Sequence, residues 1–197
     1  MQEFKQWHDE ENYFYREIKL YFSQCNVNQD IMLSEILALT SDTAVEDFHQ
    51  RGLTFDILKE NGIAILTSRV AFRFHKMPKC NQIITLKTWE EAAKGLQLTR
   101  SYELTDENDE VLINGFSTWL LVNLENRRIM KPSAFTLREE PTLTLPLKSL
   151  DCGKIQIPEE MQLLDERKIR FSDIDANGHM NNSRYGGYII DSLPEEF

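Results

Sequence analysis

One long helical pattern stands near the front of this chain, between a single strand-like run and four more. Over Ile31 to Arg51, the residues Leu33, Ile36, Leu37, Ala44 and Phe48 recur at three- and four-residue spacing. Gly52 follows where a C-terminal cap belongs. Tyr13 to Phe22 is rich in aromatic and aliphatic side chains and reads as a strand. After the helix come Ile63 to Phe74, Gln82 to Glu90, Leu96 to Asp106 and Glu110 to Leu124, all β-like, with Asp106-Glu107-Asn108-Asp109 as a polar hairpin turn. In the first of these, Ala64, Leu66, Val70, Phe72 and Phe74 are expected on one face, with Thr67, Arg69 and Arg73 on the other. One lone helix must bury its apolar stripe, and an antiparallel sheet wrapped around it does so. The expected class is therefore α+β.

From Lys131 to Pro158 the chain is punctuated by Pro132, Pro141, Pro146 and Pro158. Proline cannot donate to a sheet ladder and favours extended backbone, so this stretch reads as a linker. The expected division is residues 1–131, a linker over 132–158, and a second unit over 159–197. In that second unit Glu166 to Phe171 reads as a strand, Ser172 to Met180 as a loop, and Asn181 to Ser192 as a helix stopped by Pro194.

The loop carries the chemistry. Asp175, Asn177 and His179 stand at alternate positions just ahead of the helix. In extended backbone such side chains point the same way, so all three are expected to face one pocket. An imidazole is the commonest general acid or base, and a carboxylate nearby can orient it or act itself. Two rival readings use the same residues. Asp173-x-Asp175-x-Asn177-Gly178 opens like an EF-hand loop, but the twelfth position, a bidentate Glu in such loops, is Arg184. Asp, Asn and Gly are also ordinary turn residues between a strand and a helix, and Asp173 is read as such a capping residue. The first unit holds no matching Asp-x-Asn-x-His, and its His49 and His75 are read as structural.

Composition narrows the partners. The chain has 197 residues, 41% of them hydrophobic, and a formal net charge of -10. An acidic balance speaks against nucleic acid and against an anionic membrane surface. No apolar run approaches the ~20 residues needed to span a bilayer. Cys25, Cys80 and Cys152 form no Cys-x-x-Cys pair and no disulfide framework, as in a reducing compartment. Met1 to Trp7 lacks a basic and an apolar signal region, so a cytoplasmic protein is expected.

The string Asp175-x-Asn177-x-His179-x-Asn181-Asn182-x-Arg184-Tyr185, with a short helix after it, resembles the second hot-dog repeat of fatty acyl-acyl carrier protein (acyl-ACP) thioesterases. Gly62 to Leu66, Thr88-Trp89, Arg100-Ser101-Tyr102, Ser117-Thr118-Trp119 and Arg127-Arg128 to Pro132 occur in the order that family shows. The resemblance implies a complete N-terminal hot-dog repeat that binds the acyl chain, followed by an incomplete second repeat. It implies a thioester hydrolase with no cofactor and no metal, whose partner is acyl carrier protein bearing a phosphopantetheine-linked acyl chain. Asp175, Asn177 and His179 would be its catalytic set. Gly178 and the helix-start N–H groups of Asn181 and Asn182 would position substrate and oxyanion. Arg184, Arg127 and Arg128 would be candidates for contact with the acidic carrier. A homo-oligomer is compatible with the pattern.

The family's remaining catalytic Glu has no counterpart before Phe197, and Ile189, Ile190 and Leu193 are expected to sit in water. Two alternatives therefore stand beside acyl-ACP hydrolysis. One is a coenzyme A thioesterase of the hot-dog class, and the other is a non-catalytic acyl- or protein-binding module.

Overall fold

The computed structural model describes residues 5–193. Six strands form one antiparallel sheet: β1 Gln6–His8, β2 Phe14–Lys19, β3 Ile63–Phe74, β4 Ile83–Lys94, β5 Gln97–Thr105 and β6 Val111–Asn123. Their spatial order is β1-β2-β4-β5-β6-β3. The helices are α1 Leu33–Gln50, α2 Phe55–Glu60 and α3 Asn182–Asp191, with short 3-10 turns at Phe22–Gln24, Pro132–Ala134 and Phe171–Asp173. This is the α+β hot-dog arrangement.

The sheet wraps α1 because the helix offers it a continuous face. Ile36, Leu39 and Ala44 pack with Leu20, Ile84, Leu86, Leu104, Leu112 and Ile113. Burying such aliphatic side chains contributes about 1.5–3 kcal/mol each. Gly52, at φ +81°, ends α1 as the sequence predicts. The same face also buries three polar residues. The Thr40 and Thr43 hydroxyls donate back to the carbonyls of Ile36 and Leu39, at 2.8 and 2.6 Å. Asp47 closes on Arg100 of β5 at 2.8 Å.

In β3 the expected alternation fails partway. The pairing with β6 slips between Thr67 and Arg69, so Ser68 is bulged out of register. Before the bulge Ile63 and Ile65 turn to the core, after it Phe72 does, and Leu66 and Phe74 are left exposed.

The linker carries no regular structure beyond its one 3-10 turn, yet it is tied down. The Ala92 amide donates to the Leu143 carbonyl at 2.7 Å, Arg73 donates to the Lys148 carbonyl at 3.1 Å, and the Cys152 thiol donates to the Phe116 carbonyl at 3.2 Å. Lys148 also pairs with Glu103 at 2.9 Å. Glu103 alternates with the core residues Tyr102 and Leu104, so this strap crosses the face of the sheet away from α1.

Glu166 to Arg170 is not a strand; the segment is irregular and runs into the turn Phe171–Asp173. A strand needs a ladder partner for its N–H and C=O groups, and none of the described strands pairs with it. The helix that follows is present as expected, with Asn181 as its N-cap. Pro194, the expected stop, lies outside the described residues, as do residues 1–4. Tyr185, Ile189 and Ile190 are exposed on α3, as is Leu193 just beyond it. No helix among the described residues is long and apolar enough to cross a membrane.

Candidate active site

Between α1, α2 and the sheet lies a cavity of about 380 Å³. Its walls are largely apolar: Ala44, Val45 and Phe48 from α1, Phe55 and Leu58 from α2, Ile63 to Leu66 from β3, Leu98 from β5 and Trp119 from β6. A volume in this range suits a small organic ligand or an extended hydrocarbon chain. Polar residues complete the lining: His49 of α1, Lys59 of α2 and two further groups. Glu90, Thr99 and Arg100 belong to the sheet, and Arg100 is only 2% exposed. At the exposed end stand Ala176, Asn177 and His179, brought there by the loop ahead of α3.

The loop is a tight turn and not the extended backbone the alternation implied. Asp175 and His179 exchange main-chain contacts, the Asp175 amide donating to the His179 carbonyl at 2.8 Å. One Asp175 carboxylate oxygen accepts the Asn177 amide at 2.8 Å and the His179 amide at 3.3 Å. Ile174 and Met180 form a bridge at its base. Gly178, at φ +76°, takes the left-handed conformation that the turn needs and that a side chain would strain. The consequence for the three predicted residues is a division. Asn177 and His179 line the cavity, whereas the Asp175 carboxylate is turned into the loop as its brace.

The other predicted residues are also placed. The Gly178 amide donates to the Asp175 carbonyl at 3.0 Å, and the Asn181 amide to the Asp173 carbonyl at 2.8 Å, so both N–H groups are engaged inside the loop. The Asn181 side chain accepts the Ser183 amide at 2.9 Å and so caps α3. Asn182 is the first residue of that helix and is exposed. Asp173 is the capping residue the sequence indicated. It accepts the Arg170 amide at 2.8 Å, and this bond with a further one from Tyr188 holds its carboxyl below the usual carboxylate range. Arg184 donates to the Ser172 carbonyl at 2.9 Å and lies 3.9 Å from Asp173, bracing the loop from outside. Arg127 and Arg128 are exposed in the turn after β6, close in sequence to the cavity residue Leu124.

Behind the cavity runs an ionic network. Asp47 accepts from Arg100, Arg51 and His8, and Glu90 accepts from Arg51 and Arg138, each at 2.8 to 3.0 Å. Burial alone would raise the Asp47 carboxyl, but Arg100 and Arg51 beside it bring it below its ordinary value.

Sequence reasoning missed several lining residues. His49 and Lys59 both line the cavity, although His49 was read as structural. The signal lay in the last turns of α1, where Ala44, Val45, Phe48 and His49 share one helical face. His75 does bond within the fold, to Asn114 at 2.9 Å. Also missed was a copy of the loop itself. Asn26 braces its turn as Asp175 does, accepting the amides of Asn28 at 2.9 Å and Asp30 at 3.1 Å. The Cys25–Ile31 bridge matches Ile174–Met180. Asn26-x-Asn28-x-Asp30 thus repeats the backbone of Asp175-x-Asn177-x-His179 without the imidazole. Among the described residues no group of three or more His, Cys, Asp or Glu side chains could hold a metal ion.

Comparison with known proteins gives a consistent result. Residues 11–133 match the family described as acyl-ACP thioesterase N-terminal domain, and residues 158–197 match its C-terminal domain. Oleoyl-acyl carrier protein thioesterase 2, chloroplastic, of Arabidopsis thaliana is 24% identical over 193 residues, covering 88% of this chain and 52% of the relative. The chain spans about half the length of that relative and less of the next, 39% of oleoyl-acyl carrier protein thioesterase 1 of the same plant. Among solved structures, the putative oleoyl thioesterase of Lactobacillus plantarum superposes with a TM-score of 0.78 at 20% identity, over 94% of this chain and 73% of that one. An acyl-ACP thioesterase of Bacteroides thetaiotaomicron gives 0.75 at 22% identity, over 95% and 76% of the two chains.

Proposed function

Because the chain belongs to the acyl-ACP thioesterase family, we propose that it takes part in hydrolysing a fatty acyl thioester of acyl carrier protein to the free acid and the carrier thiol. One observation carries the reading: the exposed His179 and Asn177 line the same cavity as the apolar side chains of α1, α2, β3 and β6. An acyl chain lying between α1, α2 and the sheet would leave its thioester carbonyl beside those two side chains. The first unit would thus hold the chain and the second supply the chemistry.

His179 takes a proton from a water as the oxygen attacks the carbonyl carbon. Asn177 holds that water or the substrate by hydrogen bonding. The carbonyl oxygen gains negative charge in the tetrahedral intermediate, and the positive end of α3, starting at Asn182 three residues after His179, would meet it. Collapse of the intermediate expels the carrier thiolate, which takes the proton back from the imidazolium. Asp175 acts by bracing the turn that sets both side chains. Lys59, Arg127 and Arg128 supply positive charge for an acidic carrier, within a chain whose overall balance is negative. The cytoplasm is the compartment we propose.

The test is hydrolysis of one acyl chain on two carriers. Faster turnover of acyl-ACP than of acyl-coenzyme A, lost in His179→Ala, is the expected result. Equal or faster coenzyme A turnover would reject the carrier, and absence of any turnover in the parent chain would favour a binding module.

A further inference from the structure

The two copies of the loop extend into the helices that follow them. The 3-10 turns Phe22–Gln24 and Phe171–Asp173 precede them, each closed by its last side chain accepting the amide three residues earlier, at 3.0 and 2.8 Å. The amides of Met32 and Asn181 then donate to Gln24 and Asp173 at 3.0 and 2.8 Å, and each of those residues is the N-cap of its helix. Carried on without a gap, this correspondence pairs Leu33 with Asn182, Ser34 with Ser183 and Leu37 with Gly186.

Leu37 and Gly186 are also in contact with each other. A Cβ on Gly186 would lie 2.8 Å from Leu37 Cδ1, 3.0 Å from the Ser34 nitrogen and 3.1 Å from the Leu33 carbonyl carbon. A residue that touches its own equivalent lies at a two-fold relation between the halves. Identical residues would face each other there in a symmetric pair. Leucine against leucine would overpack that point, and glycine against glycine would leave a void. The mixed pair fits. Glycine is a poor helix former, so its place inside α3 calls for such a packing reason.

We propose that Gly186 is a positioning residue: with Leu37 it seats α3 on α1 in one pose, and that pose sets the Asp175–Asn181 loop at the cavity. The role rests on the reading that this loop performs the hydrolysis. A methyl at position 186 meets the Leu37 tip and the main chain of Leu33 and Ser34, so it shifts α3 from the first turns of α1 by a few tenths of an ångström. Loop and helix are joined through the Asn181 cap, so the imidazole moves with them.

The experiment compares Gly186→Ala, Leu37→Ala and the double variant in the full chain, with His179→Ala beside them. Gly186→Ala is expected to lower kcat by roughly tenfold to a hundredfold, as small misplacements of catalytic groups do. KM for the acyl substrate should stay within about twofold, because the apolar walls from α1, α2 and the sheet, which would hold the acyl chain, are untouched. Its melting temperature should fall in the parent and fall less in the Leu37→Ala background, where the nearest of the three obstructing atoms is gone and the Ser34 and Leu33 main-chain contacts remain. A kcat within about twofold of the parent, a KM that rises in step, or equal thermal losses in both backgrounds would overturn the proposal. Turnover retained by His179→Ala would instead reject the catalytic reading, and the two thermal shifts would still decide the packing pair.

Discussion

Asp175 grips His179 by the main chain. Its carboxylate accepts the His179 amide at 3.3 Å while its own amide donates to the His179 carbonyl at 2.8 Å. A side chain held in this way shapes the turn and leaves the imidazole to act at the cavity. Asp175→Asn keeps an oxygen in the bracing position, so hydrolysis is expected to stay within about tenfold of the parent, whereas Asp175→Ala removes the brace at a local cost of about 1–2 kcal/mol. Steady-state rates of the two variants separate the roles. Equal and large losses in both would make Asp175 the base.

The buried pair between Asp47 and Arg100 makes a prediction about stability. Asp47→Asn leaves the Arg100 guanidinium, 2% exposed, with Glu90 at 3.9 Å as its remaining counter-charge, and urea unfolding should report a loss of about 3 kcal/mol.

Its pH dependence follows from the same geometry. The folded state holds the Asp47 carboxyl below its ordinary value, so the unfolded chain binds that proton more readily. The stabilisation is complete above the ordinary carboxylate pKa of about 4 and is lost as pH falls from there through the lower folded value. Unfolding free energy measured against pH should slope less steeply for Asp47→Asn than for the parent in that acid window.

The cavity wall can be narrowed from one side. Ala64 of β3 lines it, and Ala64→Phe would occupy space that an acyl chain needs. Each methylene refused burial costs about 0.8 kcal/mol, so displacing two of them should raise KM for long chains by roughly tenfold and affect short chains less. A series of acyl lengths on one carrier measures this.

Cys152 should resist alkylation. Burial between the linker strap and the sheet pushes its thiol up to about 11 and keeps it protonated near neutral pH. Mass spectrometry after mild thiol labelling should find Cys152 modified last of the three cysteines.

Much of this architecture was legible from periodicity. The α1 stripe, the Gly52 cap, the strand runs and the Asp106 turn all rest on local rules that operate within a few residues. The bulge at Ser68 was hidden, because it arises from pairing with β6, distant in sequence. Glu166 to Arg170 misled because a strand exists only with a partner, whatever its composition. In the site, alternation suited Asn177 and His179 but not Asp175, whose carboxylate found closer donors in its own turn. The loop copy at Asn26 was missed because hydrogen-bond pattern, not residue identity, carries the likeness. Lys59 and Arg100 join the cavity only through tertiary packing.

Single-turnover cleavage of an acyl-ACP by His179→Ala is the most direct measurement. With acyl binding intact, the account predicts that the first-order rate falls by roughly 10²–10⁴-fold, the range a positioned general base supplies. A variant that binds the acyl chain and cleaves it at the parent's rate would contradict the account.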